Sequence, residues 1–144
     1  MSILDKGMDI LSKERQRREE ADRQNREAYE NRDKAAAKCI LELKNKLSDA
    51  LLHIEHDEKN HLLEIRRIID GEPLCLVRSR FEFPFNHDGD GGGDYGEPYQ
   101  KTEMKYLKEY QSSSNITYCR ADGCNSGWVH YDENELARFL VMNI

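Results

Sequence analysis

Between Asn86 and Glu97 the chain sets Asn86, Asp88, Asp90, Asp94 and Glu97 at positions 1, 3, 5, 9 and 12 of a twelve-residue stretch, with Gly91 at position 6. These are the offsets at which an EF-hand-type loop presents oxygen ligands to Ca²⁺, the glycine taking the sharp turn. The stretch departs from that pattern in three ways. Asn86 stands where Asp is usual, Gly93 stands where an apolar residue usually sits, and the segment ahead of it reads as a strand. A flexible acidic surface loop has the same composition, so both readings stand.

Cys119, Cys124 and His130 form a second set. Thiolate and imidazole are zinc ligands, and structural zinc sits on paired cysteines two to four residues apart. Here the separation is at the permissive limit and there is one such pair, with Cys75 and His87 elsewhere. Buried thiols acting as small hydrophobes are the plain alternative. A third set is His53, Asp57 and His61, at i, i+4 and i+8 of a helical reading, with Glu58 beside them. Glu58-x-x-His61 is the spacing of bundle di-metal sites, which need two such pairs and two further carboxylates. One chain cannot complete that set. A polar layer within a helical packing face is the other reading, and a pH-sensitive one given the histidines.

No enzyme signature accompanies these sets. There is no G-x-S-x-G, no H-E-x-x-H, and Gly91-Gly92-Gly93 lacks the Lys-Ser/Thr of a phosphate cradle. No catalytic residue is assigned, and the chain leans away from being an enzyme.

The elements that would carry these residues begin with the stretch Ala35 to Asp70. Ala36, Ile40, Leu43, Leu47, Leu51, Ile54, Glu58, Leu62, Ile65 and Ile69 follow one another at steps of three or four, and nine of the ten are apolar. Their mean step is closer to ~3.67 than to the 3.5 of a heptad coiled coil. Leu41, Leu52 and Leu63 add a second row. The pattern predicts a helix ending at Gly71-Glu72-Pro73, with a broad face for a bundle, a higher oligomer or the chain's own sheet. Ile40, Leu43, Leu47, Leu51, Ile54, Glu58, Leu62 and Ile65 are its expected oligomer interface.

Ahead of it, Leu4, Met8 and Leu11 share one helical face, and residues 12–34 are almost wholly charged or amide-bearing. Acid-before-base pairs such as Glu14–Arg18 and Glu30–Lys34 would each support an exposed helix by ~0.2–0.5 kcal/mol. Between Met8 and Asp70 there is no Gly or Pro. One continuous helix is expected, with a disordered polar arm as the alternative.

After Pro73 the pattern becomes that of strands. Residues 74–85 alternate as a strand, Pro98 opens an expected helix through Tyr110, and 116–119 with 128–131 read as a hairpin around Asp122-Gly123. Asp132 caps a last helix with Glu135 as its capping-box partner. The expected fold is therefore α+β. Residues 1–71 form a long amphipathic helix, bundle- or coiled-coil-like, and residues 72–144 form a small β-α-β-β-α unit.

Composition narrows the function classes. At 144 residues with 38% apolar and 35% charged side chains, the core cannot include the whole chain. The net charge of −6 argues against nucleic acid as a partner, since phosphate binding needs clustered cations. No apolar run reaches the ~20 residues of a membrane span. The N-terminus has no apolar signal region, and the four cysteines are not spaced as a secreted disulfide framework, so a reducing, cytoplasmic setting is expected. The reading is an oligomeric, non-enzymatic protein-protein interaction protein (adaptor, inhibitor or regulator) assembled through its long helix. Its C-terminal unit would engage a partner, with Tyr95 and Trp128 as aromatic anchors. The rival is a Ca- or Zn-dependent regulator or small enzyme built on residues 86–97 or on Cys119, Cys124 and His130.

Overall fold

The computed structural model describes residues 2–87, 92–118 and 127–144, the side chains of Asn86, His87, Asp94 and Tyr95 excepted. By its contacts the chain divides into two units, Met1–Ala35 and Ala36–Ile144. Helix α1, Ile3–Leu47, contributes to both.

In the first unit α1 starts on Ser2, whose Oγ accepts from the Asp5 amide at 3.1 Å and so satisfies one of the first-turn donors. No residue from Ile3 to Ala35 is buried. With no buried side chain to anchor it, helicity here is supported by propensity and by exposed ion pairs such as Asp9–Lys13 at 3.1 Å and Glu20–Arg23 at 2.6 Å.

The second unit is built on a five-stranded antiparallel sheet in the order β1-β2-β3-β6-β9. Its strands are β1 (Leu52–Asp57), β2 (Leu62–Arg67), β3 (Pro73–Glu82), β6 (Tyr99–Tyr106) and β9 (Val129–His130). Two small ladders accompany it, β4 (Phe85–His87) with β5 (Gly93–Tyr95), and β7 (Tyr110–Gln111) with β8 (Thr117–Tyr118). Helix α2 (Glu133–Asn143) closes the order.

One sheet face carries the core. Period-2 alternation sends Leu63 and Ile65 of β2, Cys75, Val77 and Ser79 of β3, and Met104 and Tyr106 of β6 into it, all fully or nearly fully buried. Ile40 and Leu43 from the last turns of α1, and Leu136, Phe139 and Leu140 from α2, complete the same cluster. Tyr106, Tyr110, Tyr118 and Phe139 pack ring on ring, with centroids 4.8–5.3 Å apart around Tyr106 and Phe139. Aromatic pairs at such distances add to the area they bury.

The molecule is α+β, as the sequence implies, but three elements differ from expectation. The helix ends at Leu47 and not at Asp70. Residues 48–70 instead form the β1–β2 hairpin, and β2 pairs with β3, so no boundary falls at residue 71. Residues 99–106 are a strand and not a helix, because Thr102, Met104 and Tyr106 face the core while Lys101, Glu103 and Lys105 face away. Among the described residues the expected pairing of 116–119 with 128–131 is not seen: β8 pairs with β7, and β9 pairs with β6. The Asp122-Gly123 turn lies outside the described residues. Helix α2 lies where the sequence places it, and β3 starts as expected but ends at Glu82, with Phe85 belonging to β4 and not to the same strand. Asp132 caps α2, its Oδ1 accepting from the amides of Asn134 and Glu135. Glu135 does not return the capping bond. Its carboxylate accepts from the Tyr110 and Ser113 hydroxyls and from the Ser113 amide.

Candidate interaction surfaces

The face of the sheet away from the core is polar, and its centre is a nearly buried carboxylate. Glu103 is 4% exposed. Register sets it opposite Arg78 on β3 and His130 on β9. Its Oε1 accepts from Arg80 Nε at 2.7 Å and from Arg78 Nε and Nη2 at 3.2 and 3.1 Å, while Lys101 Nζ lies 3.6 Å from Oε2. Burial alone would raise the Glu103 carboxyl, but the bonds from Arg80 and Arg78 outweigh it and hold the group below the usual glutamate range. The same bond raises Arg80. Glu82 joins the network through Tyr99, Lys101 and Arg80. The Arg78 guanidinium also lies 3.8 Å from the centre of the Trp128 ring. The network therefore reads as a clamp between β3 and β6, with Trp128, just ahead of β9, laid against Arg78.

A second surface lies between the last turn of α1 and helix α2. There Leu47, Leu52, Leu136, Leu140, Val141 and Ile144 line an open groove of about 260 Å³, with Lys46, Asp49 and Glu133 on its rim. The Lys46 ammonium stands 3.2 Å from the Glu133 carboxylate. Apolar side chains continue outward from it. Val141 is 72% exposed, Met142 60% and Ile144 49%, and Ile69, on the turn after β2, is 85% exposed. Arg67 ties that turn to α2, donating to the Asn143 carbonyl at 2.7 Å and to Asp70 at 3.0 Å. Tyr131 also lines the groove, and its hydroxyl is buried with no hydrogen-bond partner among the described residues. Sequence reasoning missed this groove because its walls come from residues far apart in the chain. The one local signal was the exposed apolar pair Val141-Met142 following the buried Leu140 at the end of α2.

The third surface is on the first unit. Ile3, Leu4, Met8 and Leu11 are 84%, 74%, 69% and 62% exposed. Leu4, Gly7, Met8 and Leu11 stand at i, i+3, i+4 and i+7, a single helical stripe.

The residues singled out by sequence fall as follows. Ile40, Leu43 and Ile65 are core, Leu47, Ile54 and Leu62 are half-buried, and Leu51 and Glu58 are exposed. They do not share a helical face, since Ile54, Leu62 and Ile65 are on strands and Glu58 is in the β1–β2 turn. That turn also separates His53 and Asp57 on β1 from His61. His53 Nε2 lies 2.7 Å from Glu55 Oε1, and Asp57 accepts from the Asn60 side chain at 2.8 Å. The expected i, i+4, i+8 face is therefore absent.

In the acidic loop, Asp88, Asp90 and Gly91 lie outside the described residues. Asn86 and Asp94 are register partners across the β4–β5 ladder, and Glu97 is exposed. Cys119 and Cys124 also lie outside, while His130 is exposed on β9. Tyr95 is on β5, its side chain outside those described, and Trp128 is half-buried against Arg78. Cys75 is enclosed in the core, where burial pushes its thiol up and away from reactivity. Among the described residues, no three His, Cys, Asp or Glu side chains converge as metal ligands. None of the described helices is long and apolar enough to cross a membrane.

No family model matches the chain, and comparisons with curated proteins and with solved structures also find no match.

Proposed function

We propose that this is a non-enzymatic interaction protein that self-associates through α1 and engages a further protein with its C-terminal α+β unit. The observation that carries the proposal is the stripe Leu4, Met8 and Leu11, exposed on a helix whose following residues are almost all charged or amide-bearing. Exposed apolar clusters of this kind mark contact sites, whereas singly scattered ones need no explanation. Association is assigned to this end of the helix, because Ile40, Leu43 and Ile65 are already committed to the chain's own core. A seam along the whole helix is disfavoured. At coiled-coil spacing from Leu4 and Met8 it would place Arg15, Arg18, Asp22 and Asn25 in the contact.

Light scattering across rising concentration tests the reading. A mass that climbs above 16.9 kDa, and does so equally in high salt, fits an apolar contact. A monomer at tens of micromolar contradicts it. The metal-dependent alternative keeps Asn86, Asp88, Asp90, Asp94 and Glu97 for Ca²⁺ and Cys119, Cys124 and His130 for Zn²⁺. The backbone register that pairs Asn86 with Asp94 across β4–β5 is the feature among the described residues that favours it. Stoichiometric metal in purified protein would move the reading to that alternative.

A further inference from the structure

We infer that, within the assembly that α1 holds together, strand β1 pairs antiparallel with β1 of a second copy about a twofold axis through Ile54, joining two sheets into one. The inference rests on the self-association reading above and adds a second contact of defined register.

The two edges of the sheet are unalike. At one end β9 is two residues long. At the other, β1 runs six residues with no Pro, Lys or bulge, devices that blunt an edge. Existing hydrogen bonds fix which way its backbone groups point. The Ile68 amide donates to the Leu51 carbonyl at 3.0 Å, so the odd-numbered residues of β1 bond to β2. The even-numbered ones, Leu52, Ile54 and His56, therefore turn their amides and carbonyls outward. The Leu52 amide donates to the Asp49 carbonyl at 3.2 Å. On that side Ile54 and His56 have no backbone partner among the described residues.

Parity and charge then select the partner. The side chains of Leu52 and Ile54 pack on the core. A strand that continues the same core face must oppose core-facing residues to core-facing ones, so the axis passes through a residue and not between two. Centring on Glu55 pairs residues 53–57 and sets Glu55 against Glu55, an unfavourable like-charge contact. Centring on Ile54 pairs residues 52–56 and sets His53 of each copy opposite Glu55 of the other. Those are the positions without backbone bonds, where side chains stand closest. Glu55 Oε1 lies 2.7 Å from its own His53 Nε2, which leaves Oε2 for the imidazole across the axis.

The same register matches the free backbone groups. Ile54 exchanges both of its bonds with Ile54 of the second copy, and each His56 amide meets a Leu52 carbonyl, the group that Asp49 leaves free. Ile54 beside Ile54 is also a β-branched cross-strand pair. An unrelated extended segment would need acid and imidazole at these same positions, whereas a second copy brings them by symmetry. So short a ladder is weak alone. It forms between copies that α1 has already brought to a raised effective concentration.

Charge reversal on the full-length chain tests the pairing. An acidic variant carries His53→Glu, and a basic variant carries His53→Lys and Glu55→Lys. Both side chains are exposed, and thermal melts matching the wild type establish that the variants fold. Each variant alone sets like charges across the axis and is expected to associate roughly tenfold more weakly than the wild type. An equimolar mixture is expected to regain wild-type strength, because residues 53 and 55 then oppose unlike charges. Residue-level hydrogen exchange on the wild type needs no variant. The Ile54 and His56 amides are expected to slow as concentration rises through the association range. Variants that associate alone as tightly as the wild type, a mixture no tighter than its components, or unchanged exchange at Ile54 and His56 overturns the β1 pairing and leaves the α1 reading standing. A wild-type chain that stays monomeric overturns both.

Discussion

Arg78 serves two partners at once. Its guanidinium lies 3.8 Å from the ring centre of Trp128, and its Nε and Nη2 donate to one oxygen of Glu103. Strand β3 is thereby tied to β6 and to the residue preceding β9, which is only two residues long. Among the described residues, backbone pairing of this edge comprises Glu103↔His130 and Met104↔Val129, with the Tyr131 amide donating to the Thr102 carbonyl at 3.0 Å, and the Arg78–Trp128 contact adds to so short a ladder.

The Glu103 carboxyl is held below its usual range, so its contribution to stability is present above the unfolded-state value near 4.5. It is lost as pH falls through the lower folded-state value. Glu103→Gln is expected to cost about 1–2 kcal/mol at neutral pH, since Arg78 and Arg80 lose a charged acceptor yet stay partly hydrated. It should also flatten the fall in stability below pH 4.5. Urea melts of both proteins from neutral to acid pH check this, and parallel pH profiles would remove the role given to Glu103.

Neighbouring residues on α1 should respond in opposite ways. Ile40 is fully buried in the core, and Ile40→Ala is expected to destabilise the fold by about 2–5 kcal/mol. Leu41 is 51% exposed, and Leu41→Ala should stay within about 0.5 kcal/mol. If the two changes cost the same, the end of α1 is not docked on the sheet as described.

Tyr131 supplies a case where removal helps. Its hydroxyl is buried without a partner among the described residues, and burial raises its pKa. Tyr131→Phe keeps the ring and removes the desolvated oxygen, so stability is expected to be unchanged or to rise by up to about 1 kcal/mol. A loss of that size in thermal melting would reveal a bond to this hydroxyl.

Much of this fold was legible in residue pattern, and the failures have local causes. The exposed helix, strand β3 and the Asp132 cap each carry a signal within a few residues. Residues 48–70 do not, because steps of three and four also contain the alternations Leu52-Ile54 and Leu63-Ile65. The hairpin turn has no glycine to announce it, and His61 adopts a left-handed φ of 50° there. Asp49 was the readable hint, since its side chain accepts from the Leu51 amide two residues on, a turn-forming habit of Asp. For β6, Pro98 drew attention to helix initiation and masked the alternation of Thr102, Met104 and Tyr106. The groove itself was not legible beyond the apolar end of α2, because packing between α1 and α2 assembles it.

The central claim is that α1 carries the association element at Leu4, Met8 and Leu11. Sedimentation velocity on the wild type beside the Leu4→Glu, Met8→Glu variant tests it most directly. The account predicts a concentration-dependent species heavier than 16.9 kDa for the wild type and a monomer for the variant. Equal sedimentation of the two proteins, whether both monomeric or both assembled, would contradict it.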